Sequence, residues 1–459
     1  MSVIRLLLVL SAAISLVGAL GPELGFDALW YHLTIPKLYS DAGRIFHLPG
    51  GLLYYSELPR LGEMLFLSGL SLLGQVGAHL VSWAAGVGSG VGLYFLSRRY
   101  LDRTRSLLAT LLFYSTPLVG WLSGSGYVDL TRTLFEVLAL YFILQKRVVL
   151  AGVSLGLAIS IKTLSLGSFV PLIAVTYLVF KKVKPVVVLL FVASLISLPW
   201  FISAYLNTGY PFFPLGAGIL DQRHDLFPQG TNVFSLLTDF GKLALFPEDP
   251  ISPLYLIFLP FVLFRVKTLY KRLGPILVYA VLSYTLWWIT PRTGGGRFLL
   301  PYLPAFSLVC VAALGFVEDR VVKKLLFLSI IAGALINIAY RGVANSRLLP
   351  FLLGQETREE YLCRNLDFAT MVFFDCDGWF ARNIRPTDLV LVAGVHNLYY
   401  INFPFVHETW YRGENFNYLV VQGDENQPAE KYLTSNSYRQ VYANDLTRVR
   451  VYRFDEFIP

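Results

Sequence analysis

Charge is what this 459-residue chain has least of: Asp, Glu, Lys and Arg make up 15% of it, against 55% for hydrophobic residues. A soluble domain carries about 25% charged residues to cover its surface. The shortage, with a mean hydropathy of +0.57, excludes an ordinary soluble globular protein. Cysteine is also scarce, at three residues, and none is spaced as zinc ligands are. The net charge of +8 divides unevenly. Before Arg341 stand 26 basic and 15 acidic residues, and from there on 12 and 15. Most of the basic excess lies in short loops between apolar runs, where it sets membrane orientation, so no nucleic-acid partner is expected.

What is there is a series of apolar stretches. About 20 such residues cross a bilayer, and shorter runs manage with tilt or local thinning. Stretches near 3–20, 76–97, 106–122, 129–144, 148–161, 166–180, 185–204, 251–264, 275–290, 298–316 and 325–340 qualify. The expected fold class is therefore an α-helical polytopic membrane bundle of about eleven spans. Alternate loops are basic: Arg98, Arg99, Arg103 and Arg105; Lys146 and Arg147; Lys181, Lys182 and Lys184; Arg265, Lys267, Lys271 and Arg272; Arg320, Lys323 and Lys324. By the positive-inside rule these are cytoplasmic, and an odd number of spans leaves the C-terminal tail outside. Residues 1–20 combine Arg5, an apolar run and Val17-Gly18-Ala19, as a cleaved signal peptide also would. We read them as a retained span, and either way residue 21 emerges outside.

Two outer loops are long, 21–75 and about 205–250. Loops beyond about 15 residues are usually functional or disordered, and these are too apolar for disorder, although both could merely cap the bundle. In the first, Phe26, Trp30, Leu33 and Lys37 recur at helical spacing, as in a helix lying at the interface. The second holds Tyr210-Pro211-Phe212-Phe213-Pro214, a turn region. From 341 the pattern changes. Residues 388–394, 417–421, 438–442 and 448–453 read as strands and 356–366 as a helix. The chain thus divides into a membrane domain, 1–340, and a small soluble α/β domain, 341–459. Cys363 and Cys376 fall in that tail, where a disulfide is permitted outside the cytoplasm; Cys310, inside an apolar run, reads as a packing residue.

Charged groups at membrane depth are costly, so those retained usually face a cavity and pair. Asp129, Arg132 and Glu136 stand at i, i+3 and i+7 on one helical face. Asp129 follows the Ser123-Gly-Ser-Gly126 turn and suits either a cavity or a helix N-cap. Arg132 and Glu136 suit a cavity lining or a pair that cements helices. Asp27 lies in Phe26-Asp-Ala-Leu-Trp-Tyr-His32, where plain solvation explains it poorly. Cations gather on the same outer side: Lys37, Arg60, Lys162, Arg292 and Arg297. The last two flank Thr293-Gly-Gly-Gly296, whose N–H groups can help hold an anion, and the Arg fork suits phosphate. Lipid headgroups explain each cation singly; together with the carboxylates they favour an anionic, lipid-linked substrate.

At these residues the chain resembles the GT-C class of polyprenyl-phosphate-sugar-dependent glycosyltransferases, and within it the bacterial relatives of protein O-mannosyltransferases and aminoarabinose transferases. The resemblance runs through Asp27-Ala-Leu-Trp-Tyr-His-Leu33 with Pro36, Pro59 and Glu63, Asp129-Leu130, and Lys162. It continues in Pro199-Trp200, Asn207-Thr-Gly-Tyr-Pro211 and Arg297-Phe-Leu-Leu-Pro301. It implies a multi-pass protein of the cytoplasmic (inner) membrane with an extracytoplasmic α/β domain. Asp27 then matches the catalytic carboxylate and Asp129 a second acidic position. Tyr31, His32, Lys37, Arg60, Glu63, Arg132, Lys162, Arg292 and Arg297 are the candidates for substrate and phosphate binding. Within 1–340 there is no Asp-x-Asp or Asp-Glu pair, so no metal or other cofactor is indicated. The implied partners are a polyprenyl-phosphate sugar donor, a glycolipid, glycan or protein acceptor, and the bilayer.

The chemistry is consistent with those residue types. Breaking a sugar–phosphate bond expels an already acidic phosphate, so a base for the acceptor and cations for the departing charge suffice, without the acid/base pair of a glycosidase. The expectation is an inverting hexosyl- or pentosyltransferase. A transporter or lipid flippase, with charges strung through the bilayer depth, and a scaffold presenting the tail are the rivals.

Overall fold

The computed structural model describes residues 1–214, 233–245, 251–290, 295–423, 431–433 and 438–458, with the side chains of all but 233–237 and 455–458. Parts of the second long loop and Arg292, Thr293 and Gly294 lie outside the described residues. All eleven apolar stretches fall on helix. Helix α1 (Ser2–Ala19) opens the bundle, and a π turn (Ala28–His32) and α2 (Thr34–Ala42) occupy the first long loop. Then come α3 (Leu61–Ser97), α4 (Arg103–Tyr114), α5 (Pro117–Leu122), α6 (Asp129–Leu144), α7 (Val148–Ile161), α8 (Phe169–Phe180) and α9 (Val183–Thr208). After α10 (Val233–Leu245) the bundle closes with α11 (Pro253–Phe264), α12 (Val266–Ile289), α13 (Gly295–Leu299), α14 (Leu303–Leu314) and α15 (Arg320–Ser346). Among the described residues seven helical runs are long and apolar enough to cross a membrane unaided, and α7 and α11 are shorter apolar helices.

Helix α1 is packed into the bundle. Its Ala12 carbonyl accepts from the Trp83 indole at 2.9 Å, and its Ile14 carbonyl from Asn345 at 2.6 Å. Three of the basic loops meet at one end, where Arg265 lies 3.0 Å from Glu318 and Arg272 reaches the Tyr100 carbonyl. The first long loop, the described start of the second and the tail occupy the opposite end. Helix α3 is not one straight rod: it breaks at Leu73 and Gly74 and doubles back, so that a Cβ on Gly77 would collide with the Gly69 backbone. Only glycine on both arms allows that approach. The arm before the break lies in the first loop and carries Glu63; the arm after it carries the span.

The tail begins with α16 (Leu349–Leu352) and α17 (Arg358–Asn365), the latter opened by a Thr357–Glu360 capping box. Short α18 (Trp379–Asn383) precedes the sheet. Strands β1 (Val390–Ala393), β2 (Phe405–His407), β3 (Phe416–Gln422), β4 (Tyr438–Asn444) and β5 (Val449–Ile458) form one sheet in the order β2-β1-β3-β5-β4. β1 is parallel to β2 and β3, and β5 is antiparallel to β3 and β4. A disulfide joins Cys363 and Cys376. The sheet does not close its core alone. Tyr31, Ile35, Tyr39, Leu48 and Leu53 of the first loop form one buried cluster with Val390, Val392, Leu398, Val420 and Val451 of the tail.

At the end of β2, His407 is 2% exposed. Its Nε2–H donates to the Val395 carbonyl at 2.8 Å, and its Nδ1 accepts from the Thr409 N–H at 3.2 Å. The Thr409 hydroxyl lies 3.0 Å from the same nitrogen, and the polar edges of the ring are thus closed off from water. Burial accordingly pushes the imidazole down from its ordinary 6.5 to about 4. The unfolded tail takes up this proton below pH 6.5 and the folded tail does not. Tail stability therefore falls between about pH 6.5 and pH 4, by on the order of 3 kcal/mol, and this contribution levels off below. Hydrogen exchange of tail amides across that range should show the slope in the wild type and a flatter one in His407→Gln; parallel profiles would refute the assignment.

Candidate active site

Asp27 opens the π turn, in which the Leu33 N–H bonds the Ala28 carbonyl five residues back, at 2.9 Å. A π turn is rare and tends to mark functional sites. Here it brings residues five apart to one side, whereas regular α spacing turns His32 well away from Asp27. The helical periodicity expected over 26–37 is thus broken into a π turn followed by α2.

The two acidic candidates meet a cation each. Asp27 Oδ2 lies 2.6 Å from Arg297 Nη1, and Asp129 Oδ1 lies 2.8 Å from Lys162 Nζ. Lys162 ends α7 in extended backbone, and Arg297 sits in α13, so three separate elements converge on the start of α6. Asp129 is not a helix cap, for no side-chain capping bond is made at that end. The pairs form one group: the Arg297 charge reaches Asp129 as well, and Tyr31 feels Asp27, Arg297 and Asp129 together. Burial, then Asp27, hold the Tyr31 hydroxyl protonated well above its ordinary range. The side chains of Asp27, Arg297 and Lys162 are 18%, 15% and 17% exposed, and that of Asp129 is 0%. The group is thus open at Asp27 and closed at Asp129.

His32 and Glu63 form a buried dyad beside it, Nδ1 to Oε1 at 2.6 Å, and His32 acts electrostatically on Asp129. Over Asp27 stands an aromatic wall. Tyr31 stacks on Tyr55 at 3.8 Å, Tyr55 on Tyr54 at 4.3 Å, and Trp30 lies 4.4 Å from His396 of the tail. Burial, more than the neighbouring Asp27 charge opposes it, lowers the His396 pKa. The tail therefore reaches the site.

Other candidates lie elsewhere or do other work. Lys37, expected to hold phosphate, donates to the Tyr399 and Ile401 carbonyls and to Asn402, which uses its three N–H groups to clamp the tail onto α2. Arg60, expected likewise, donates to the Ser56 carbonyl and packs 5.5 Å from the Trp200 ring. Arg132 is buried and ties α6 to the segments that carry Ser165 and Tyr302. It lies 3.4 Å from Glu136 and bonds Ser165 at 2.9 Å and Tyr302 at 3.2 Å, one turn deeper than Asp129. Arg292 is outside the described residues.

Sequence reasoning missed Tyr127 and Glu23, the residues that bring the carboxylates together. The Tyr127 hydroxyl accepts from the Asp27 backbone N–H at 3.2 Å, and its ring lies 5.2 Å from the Arg297 guanidinium. Glu23 accepts from the Gly25 N–H at 2.8 Å and the Gly126 N–H at 2.5 Å, and meets His79 Nε2 at 3.1 Å. Burial alone would raise its carboxyl, but His79 and these N–H groups outweigh burial and hold it below its ordinary value. A Cβ on Gly126 would press on Glu23 Oε2. The one signal available was the glycine-rich turn 124–126 just before Asp129.

A family model described as dolichyl-phosphate-mannose-protein mannosyltransferase matches residues 65–205, under a third of the chain. Compared by sequence with curated proteins, the chain finds no match. Among solved structures it is similar to ArnT from Cupriavidus metallidurans bound to undecaprenyl phosphate, with TM-score 0.64 and 15% identity over 98% of this chain and 97% of that one. The apo form of that protein gives TM-score 0.65 at 16% identity, with the same coverage. The archaeal oligosaccharyltransferase AglB from Archaeoglobus fulgidus, in complex with an inhibitory peptide and a dolichol-phosphate, gives TM-score 0.50 and 14% identity over 91% of this chain and 69% of that one. These likenesses show the fold: a GT-C membrane bundle with an α/β tail.

Glu23→Gln keeps the volume but removes the charge from a buried pair, which costs on the order of 3 kcal/mol. Heating in detergent with a thiol-reactive dye, read through the buried free Cys310, should show a lowered midpoint. An unchanged midpoint would mean that Glu23 does not hold these loops together.

Proposed function

We propose that this GT-C-fold membrane protein is a glycosyltransferase that moves a monosaccharide from a polyprenyl-phosphate donor to an envelope acceptor on the outer side of the membrane. The observation that carries the reading is the single group formed by Asp27, Arg297, Asp129 and Lys162, open at one end of the bundle beside the first long loop. A charged pathway through the bilayer would instead suit a transporter, and among the described residues the deeper pair, Arg132–Glu136, is buried among Ser165, Ser168 and Tyr302.

The proposed step is an inverting displacement. Asp27 takes the proton of an acceptor hydroxyl, the acceptor oxygen bonds the sugar's anomeric carbon, and the carbon–oxygen bond to phosphate breaks. Its electron pair stays on the polyprenyl phosphate, whose charge Arg297 and Lys162 hold. Asp27 is masked by Arg297 before the donor arrives. A donor phosphate competes for that guanidinium, so donor binding releases the base where and when it is needed. Asp129 fixes Lys162 through one oxygen, and Asp27, the acid nearer solvent, serves as the base. The departing charge is met by protein cations, so no divalent ion enters the step.

The site lies at the tail-bearing end, and two features support placing that end outside a cytoplasmic (inner) membrane. Three of the basic loops gather at the opposite end, as cytoplasmic loops do. The Cys363–Cys376 disulfide suits an oxidising compartment. Whether the sugar is a hexose or a pentose rests with the donor pocket rather than with these charges.

Asp27→Asn should fold with a near-wild-type heat midpoint, because the pair it breaks is partly solvated. In membranes supplied with a lipid-linked sugar it should lose about 10²–10⁴-fold in transfer rate; retained transfer would remove Asp27 from the base role. Treating wild-type membranes with a chelator should leave transfer unchanged, and a loss restored by added divalent ion would show that the step needs one.

A further inference from the structure

Buried polar atoms nearly always have partners, and each exception asks for an explanation. Two exceptions stand together here. His32 Nε2 and Asp129 Oδ2 are both buried without a hydrogen-bond partner, on side chains 2% and 0% exposed. They belong to groups that act electrostatically on one another. Their other atoms are committed. Asp129 Oδ1 takes the Lys162 ammonium at 2.8 Å, and His32 Nδ1 faces the Glu63 carboxylate at 2.6 Å. A carboxylate only accepts, so Nδ1 carries a proton, and in the singly protonated ring this leaves a lone pair at Nε2. Both open atoms are thus acceptors, and both call for donors from outside the protein.

A phosphate cannot supply them, being itself an acceptor. A nearby cation would already pair with the carboxylate. We infer that His32 Nε2 and Asp129 Oδ2 together receive two neighbouring hydroxyl groups of the transferred sugar, making the Glu63–His32 dyad part of a donor-sugar subsite. The π turn fits this division of labour. It places His32 on the side of Asp27, so that the sugar lies between the base and the dyad while the phosphate rests on Arg297 and Lys162. Glu63 is the positioning residue, since its Oε1 fixes the imidazole tautomer. This inference rests on the transferase reading but is separable from it. The cations recognise any polyprenyl phosphate, and the dyad recognises only one that carries a hydroxylated sugar.

The test is equilibrium binding in lipid nanodiscs of undecaprenyl phosphate, bare or carrying mannose, glucose or galactose. The wild type should bind at least one glycosylated lipid about tenfold or more tighter than the bare one, as two added hydrogen bonds permit. The double variant His32→Phe/Glu63→Leu removes both buried partners without leaving an orphaned carboxylate. It should bind bare lipid as the wild type does and lose the margin for the glycosylated one. His32→Gln, which retains a side-chain acceptor, should keep part of it. A margin kept by the double variant, or no margin in the wild type, overturns the inference and leaves the transferase reading standing. Failure of the wild type to bind bare undecaprenyl phosphate overturns both.

Discussion

The arrangement depends on one buried carboxylate. Glu23 takes N–H groups from its own loop and from Gly126, meets His79 of α3, and lends its backbone carbonyl to the Tyr400 hydroxyl of the tail at 2.7 Å. Four parts of the chain that share no local sequence are fixed to one residue. A buried carboxylate without such partners would be unstable; with them it becomes a rigid joint. Because Glu23 stands four residues before Asp27 and Gly126 three before Asp129, the joint sets the spacing of the two acids. Tyr127 repeats the stitch with a neutral group.

Around that joint the charges are graded by access. Asp129 is the enclosed acid and Asp27 the open one, while Lys162 and Arg297 are about equally exposed. The pair of the enclosed acid is hard to separate, since Asp129 left alone would be a buried charge. An open pair exchanges partners readily, because water and salt already weaken it. The same two residue types thus act as a fixed anchor and as an exchangeable contact, and burial decides which is which. A reaction that needs a base only when a phosphate is present is served by that difference.

How far this was legible follows from what is local. The helices were readable because apolar runs are contiguous, and four strands were readable because their β-branched and aromatic residues are. Strand β2 is three residues long and carries no such run. Asp27, Asp129, Lys162 and Arg297 stood out because charge is scarce beside membrane spans. Lys37 stood out for the same reason and misled, because its carbonyl partners lie more than 360 residues away. Glu23 and Tyr127 were passed over for the converse reason: their importance comes wholly from what folding brings to them. The π turn was invisible to a reading based on α periodicity, since it preserves the composition of an interfacial helix while altering which residues share a side.

The tail belongs in the same account. The sequence reading treats 341–459 as a domain beside the membrane part, which would let the bundle act without it. The packing argues against that independence. Tyr31 and Ile35, adjacent to Asp27 in the chain, are buried against the strands of the tail, and Lys37 is held by its carbonyls. His396 touches Trp30 and Phe26 over the open carboxylate. Removing the tail would expose the apolar side of the very segment that carries Asp27, so the loop would lose its fixed place relative to Asp129 even though neither acid was altered. The tail is the second wall of the site, and the bundle and tail are one folding unit where the chemistry is placed.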